Sequence, residues 1–200
     1  MPRVTRFAPG LPLLCLCLAA LPARAQPPPA PRVVIETEAG AIEVVLDAAA
    51  APVTTANFLR YVGDGFYYGA SFYRTVTASN QPDDAVRIAV IQGGVDGTRP
   101  TRAPIALEAT SVTGLRHRDG TISMARNGPD TATSEFFICV GDQPELDAAG
   151  RRNPDGRGFA AFGQVVSGME VVRAIHGRPA AGQRLAPPVR VVSMRVVPGR

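Results

Sequence analysis

Short runs of β-branched residues separated by turns constrain this chain more than any other feature. Val33 to Thr37 and Ala41 to Leu46 are two such runs, joined by Glu38-Ala39-Gly40, which reads as a tight hairpin turn. Further strands are expected over Ser71–Val76, Val86–Ile91, Thr121–Ala125, Glu135–Val140, Ala160–Val166 and Val189–Val197. Only two segments carry a helical pattern. Pro52–Val62 places Val53, Ala56, Phe58, Leu59 and Val62 on one stripe, with Pro52 suited to the first turn and Gly63 to the end. Gly168–Ile175 forms a second, shorter segment. Many short strands and two helices favour a mainly β fold, a closed eight-stranded antiparallel barrel capped by two short helices. Periodicity alone does not separate this from a sandwich. The loops 78–85 and 148–157 are polar and turn-rich.

The chain of 200 residues accommodates one domain, expected over 32–198. Residues 1–25 have the form of a signal peptide. Arg3 and Arg6 give a positive start, Leu11–Leu21 is apolar but too short to span a bilayer, and Ala23-Arg24-Ala25 fits a cleavage site. A disordered apolar tail is the alternative. A lipoprotein reading is disfavoured because Cys15 and Cys17 each follow a leucine. Gln26–Pro31 is a proline-rich linker. The expected destination is therefore periplasmic or secreted, after cleavage near Ala25. Cleavage removes three arginines and no acid, leaving 18 bases against 17 acids. The basic character of the precursor thus belongs mostly to its leader and is poor evidence for nucleic-acid binding.

Cys139 is the one cysteine left after cleavage, so no intramolecular disulfide can form. It lies within Phe136-Phe137-Ile138-Cys139-Val140 and reads as a small buried hydrophobe. A nucleophilic role would require His117 or His176 beside it in space. Two histidines and one cysteine make a zinc site improbable, and neither a P-loop nor GxGxxG occurs. No metal and no cofactor are expected.

Four collinear pieces carry the functional signal: Ser71-Phe72-Tyr73-Arg74, Ile91-Gln92-Gly93-Gly94, the stretch Gly120–Cys139 (GTISMARNGPDTATSEFFIC), and Phe159–Val166 (FAAFGQVV). Together they resemble the cyclophilin family of peptidyl-prolyl cis/trans isomerases, in its bacterial exported form, from about Arg32 to Val197. The resemblance implies an enzyme for rotation about the X-Pro peptide bond, whose uncatalysed barrier is roughly 18–20 kcal/mol. In the twisted amide the prolyl nitrogen becomes a hydrogen-bond acceptor, and a fixed donor aimed at it favours the transition state. Arg74 matches the family's donor, and Gln92 the glutamine that steadies it. Phe137 matches the floor of the proline pocket and Leu146 its wall. Phe72, Tyr73, Val90, Glu135 and Phe159 fall among the implied substrate-binding positions. Ala125, Arg126 and Asn127 match the strip that pairs with an extended substrate.

The departures from the family pattern are informative. Tyr73 stands where eukaryotic members usually carry histidine, and Glu135 replaces the glutamine of many relatives. Ala89 and Val90 stand where the common pattern has phenylalanine and methionine, which cuts down two pocket walls. The loop 78–85 offers a replacement wall. Phe159 replaces a histidine or tyrosine. Glu145 occupies the tryptophan position of cyclosporin-sensitive members, implying weak cyclosporin binding. The implied partners are proline-containing unfolded or extended polypeptides, with no nucleic acid, no membrane after leader cleavage, and a monomeric chain. The rival reading is a chaperone module that binds proline segments with little or no turnover.

Overall fold

The computed structural model describes residues 29–97 and 99–198. The expected leader and residues 26–28 of the linker lie outside them. The elements in chain order are β1 (Arg32–Thr37), β2 (Gly40–Leu46), α1 (Pro52–Gly63), β3 (Ser71–Val76), β4 (Val90–Gly94), α2 (Thr110–Thr113), β5 (Thr121–Met124), β6 (Phe136–Cys139), β7 (Ala160–Ser167), α3 (Met169–His176), β8 (Ala180–Ala181) and β9 (Arg184–Val197). The strands run in the order β1-β2-β7-β5-β6-β4-β3-β9, and β1 pairs back onto β9. Every pairing is antiparallel. The eight strands thus close into a barrel, with β8 a two-residue hairpin arm on β9. Closure removes the exposed sheet edges that a sandwich would retain.

Three expectations need correction. Residues 86–89 are not strand, because side chains from loops take several of their backbone groups. The Gln81 amide donates to Ile88 O at 2.7 Å and accepts from Ile88 N at 3.2 Å, while Ala89 N donates to Gln143 Oε1 at 3.1 Å. β9 begins at Arg184 rather than Val189. Ala181 and Arg74 both pair with Arg184 there, which carries the strand through Pro187 and Pro188. In α1, Val53 and Ala56 face solvent, and the buried face is Thr54, Thr55, Asn57, Phe58, Tyr61 and Val62. The helix is rotated to suit polar anchors. The Glu108 carboxylate accepts from the amides of Val53 and Thr54, satisfying two donors of the first turn, and Asn57 Nδ2 donates to Thr133 O. The one-turn helix α2 was not anticipated.

Alternation along the strands produces two apolar clusters. Phe136 and Ile138 of β6 point into the barrel, where Phe58, Tyr67, Phe72, Phe136 and Phe162 pack with ring centroids 5.2–5.8 Å apart. Phe137 and Cys139 point the other way, joining Val76, Ile88, Val90 and Leu146 in a smaller cluster outside the barrel wall. The FFIC run of β6 therefore serves both the core and the surface on which the site is built.

Cys139 is buried, and burial pushes its thiol well above the usual range. A native sample should react with a thiol reagent only at the rate of its opening, many times slower than after denaturation. Immediate labelling of the native chain would contradict this placement.

Candidate active site

A β-bulge sets the site. The β3–β4 register shifts between Phe72 and Arg74, so Phe72 enters the barrel core while both Tyr73 and Arg74 reach the outer face. That face bears a cavity of about 300 Å³ lined by Tyr73, Arg74, Ile88, Val90, Gln92, Ala125, Arg126, Asn127, Thr131, Glu135, Phe137, Leu146 and Phe159. All the sequence-predicted site residues converge here except Phe72, which is fully buried in the core and does not line the cavity.

Arg74 is held from two sides. Nη1 donates to Gln92 Oε1 at 2.8 Å, and Nε and Nη2 donate to Gln183 Oε1 at 3.0 and 2.5 Å. Among the described residues these bonds use one hydrogen on each terminal nitrogen, so each keeps a second for a substrate. Burial lowers the guanidinium pKa from its usual value, yet an arginine so placed stays charged. Gln183 was missed in the sequence because it lies 109 positions from Arg74, in the β8–β9 turn. Thr75 N donates to Gln183 O at 2.9 Å, which fixes that turn against β3. No local pattern marks such a residue.

The apolar part of the cavity rests on Phe137. Phe159 meets it edge-on, with centroids 5.2 Å apart at 85°. Arg126 stacks over the Phe159 ring at 5.2 Å and makes a forked pair with Asp155 at 2.8 and 2.9 Å. Its Nε and Nη2 also donate to Gly158 O. The Arg126 side chain therefore braces the aromatic wall and ties down the loop before β7. Opposite, the wall lost at Ala89 and Val90 is restored in part by Ile88, which lines the cavity; Ala89 and the 78–85 loop do not. That loop contributes indirectly, through the hold of Gln81 on Ile88.

Behind the floor lies a buried polar network. His117 stacks on Phe137 at 5.9 Å and 17°, its Nδ1 is 2.8 Å from Asp147 Oδ1, and its Nε2 is 3.0 Å from Ser123 Oγ. A Ser-His-Asp set can support acyl transfer, but all three side chains are buried beneath the cavity floor and none lines the cavity. The set is a brace under Phe137. His176 is likewise structural, with Nε2 2.9 Å from Val76 O.

A larger groove of about 620 Å³ lies between residues 29–31, β2 and β7. Its lining is mostly apolar, with Asp47 and Arg116 its charged members, and it has nothing like the doubly held arginine. The smaller cavity sets a doubly held cationic donor beside an apolar recess on Phe137, next to the backbone that follows β5 at Ala125–Asn127.

Comparison with known proteins agrees with this geometry. Residues 32–196 match the model of the family described as cyclophilin type peptidyl-prolyl cis-trans isomerase/CLD. Peptidyl-prolyl cis-trans isomerase A of Dickeya dadantii is 42% identical over 148 residues, covering 72% of this chain and 70% of that protein. A peptidyl-prolyl cis-trans isomerase of Acinetobacter baylyi is 35% identical over 172 residues, covering 81% of this chain and 83% of its own length. The crystal structure of a Cryptosporidium parvum cyclophilin-type isomerase superposes with a TM-score of 0.69 at 22% identity, over 84% of this chain and 98% of that one. With the barrel, the family match and these relatives all in agreement, the chain belongs to the cyclophilin-type peptidyl-prolyl cis-trans isomerases and is an enzyme of that class.

Proposed function

We propose that this isomerase accelerates X-Pro rotation in exported polypeptides, working in the periplasm or outside the cell once its own leader is removed. The observation that carries the catalytic part is Arg74, clamped by Gln92 and Gln183 at the rim of the recess floored by Phe137. An extended substrate lies along Ala125–Asn127 and seats its proline on Phe137, between Phe159, Leu146 and Val90. As the amide twists, Arg74 donates to the prolyl nitrogen, a bond made only in the transition state. No proton moves and no covalent intermediate forms. The leader-like residues 1–25 support the exported setting. Cell fractionation with sequencing of the mature N-terminus tests it: a chain beginning near Gln26 outside the cytoplasm is expected, and a full-length cytoplasmic chain would refute it. NMR exchange on an Ala-Pro-Phe peptide with catalytic amounts of the mature chain tests the activity at this site.

A second reading keeps the fold as a receptor for proline segments with little turnover. The reduced wall at Ala89 and Val90 favours it, and the clamped Arg74 favours the enzyme. Suppression of client aggregation that survives loss of Arg74 would support the receptor.

Gln183 supplies a further prediction. Gln183→Ala leaves the recess intact but releases two nitrogens of Arg74. kcat should fall about tenfold with little change in KM, because the lost interaction positions a transition-state donor. An unchanged kcat would mean that Gln92 alone holds the guanidinium.

A further inference from the structure

Beyond Arg74 the hydrogen-bond chain continues. Gln92 Nε2 donates to the Tyr73 hydroxyl at 2.7 Å, and that hydroxyl donates to Glu135 Oε2 at 2.7 Å. The other carboxylate oxygen, Oε1, accepts from the Val95 amide at 3.0 Å. Gly94 makes this approach possible, since a Cβ there would lie 2.3 Å from the Glu135 carboxyl. Each link has a direction. An ionised carboxylate only accepts, so Tyr73 must donate to it. A hydroxyl whose one hydrogen is committed must accept from Gln92, which therefore turns its NH₂ toward Tyr73 and its oxygen toward Arg74.

We infer that Glu135 is a positioning residue for the isomerisation: its charge, relayed through Tyr73 and Gln92, decides which end of the Gln92 amide faces Arg74. The inference rests on the isomerase reading of the cavity. Protonation of Glu135 reverses the relay. Oε1 stays with the backbone amides, so the proton sits on Oε2 and donates to Tyr73. Tyr73 then donates to Gln92 Oε1, and the Gln92 NH₂ faces the guanidinium, donor against donor. Arg74 loses one of its two holders and shifts from its aim.

The surroundings move the Glu135 titration upward from the ordinary carboxylate range. Burial raises the Glu135 pKa, opposed by the bonds from Tyr73 and from the amides of Val95 and Asp96. The Asp96 carboxylate, paired with Arg184 at 2.6 Å, adds a further upward push. Tyr67, also buried near Glu135, gives its hydroxyl to Ser134 O at 2.6 Å. Burial, with Glu135 alongside, pushes the Tyr73 phenol upward, so it remains a protonated relay member.

The test is the pH profile of kcat and KM, measured by NMR exchange on a capped X-Pro peptide with no titrating group. Wild type, Glu135→Gln and Tyr73→Phe are compared from neutral to mildly acidic pH. The Glu135 carboxyl carbon shift in the same samples gives its titration midpoint. In the wild type kcat should fall about tenfold along an acid limb centred on that midpoint, with KM nearly constant. Glu135→Gln should be flat in pH and lie near the acid plateau of the wild type. Its amide oxygen goes to the backbone donors, and its NH₂ reproduces the reversed relay. Tyr73→Phe, which keeps Glu135 but cuts the relay, should also lose the limb. Persistence of the limb in either variant would overturn the inference, as would a flat wild-type profile across the Glu135 midpoint. A wild type inactive at every pH would instead remove the isomerase reading itself, and the relay with it.

Discussion

Replacing Arg74 by alanine should lower kcat/KM for an X-Pro peptide by about 10² to 10³ while leaving the chain folded, because one preorganised transition-state donor contributes on that scale. The loss should appear in kcat. The proline recess is formed by Phe137, Phe159, Leu146, Val90 and Ile88, all of which remain when the guanidinium is removed, so ground-state binding should be largely retained. Gln92 and Gln183 each lose a partner at a half-open surface where water can replace it, so the stability cost should stay near 1 kcal/mol. Arg74→Lys should not rescue. An ammonium is a point charge and cannot engage both glutamines while aiming a donor at the substrate. NMR exchange on the Ala-Pro-Phe peptide is the decisive measurement. Equal exchange with wild type and Arg74→Ala would place the chemistry elsewhere.

Asp147 should dominate the stability of the site's foundation. Its Oδ1 accepts from both the backbone N–H and the Nδ1 of His117, at 3.0 and 2.8 Å, in a buried setting beneath Phe137. Asp147→Ala strands two buried donors, and breaking such a pair costs about 3 kcal/mol. For a domain of this size that lowers Tm by roughly 10 °C. The effect should depend on pH in a definite direction. Burial pushes the Asp147 carboxyl up, but the His117 side chain, the His117 amide and Arg116 together outweigh it, and the net pKa lies below the usual aspartate value. A carboxyl depressed in the fold contributes its full stability above the unfolded value and loses it as pH falls through the folded value. The Tm gap between wild type and Asp147→Ala should therefore narrow in strong acid and stay constant near neutrality. A gap that widens on acidification would contradict the assignment.

The sequence marked most of the cavity because the relevant information is local. Strand alternation within Phe136-Phe137-Ile138-Cys139 already separates a core face from a site face, and Arg74, Gln92, Phe137 and Leu146 each sit in a short motif. Phe72 sits in the matched piece Ser71–Arg74 yet enters the core, because the bulge between Phe72 and Arg74 is a property of two strands in register and is absent from either one alone. The rotation of α1 was missed for a similar reason. The Glu108 carboxylate holds the backbone amides of Val53 and Thr54, and the Thr133 carbonyl accepts from Asn57 Nδ2; both partners lie far along the chain.

The mainly β class and the principal barrel strands are legible in the sequence from period and turn chemistry, and the cavity-lining residues from the order of four motifs and the family resemblance they carry. Closure of the barrel through β1 and β9, the Gln183 clamp, the His117–Asp147 brace and the directed chain from Glu135 to Arg74 were decided by tertiary structure alone. Each is a contact between residues 18 to more than 150 positions apart, whose hydrogen-bond directions are set only when the strands bring them together.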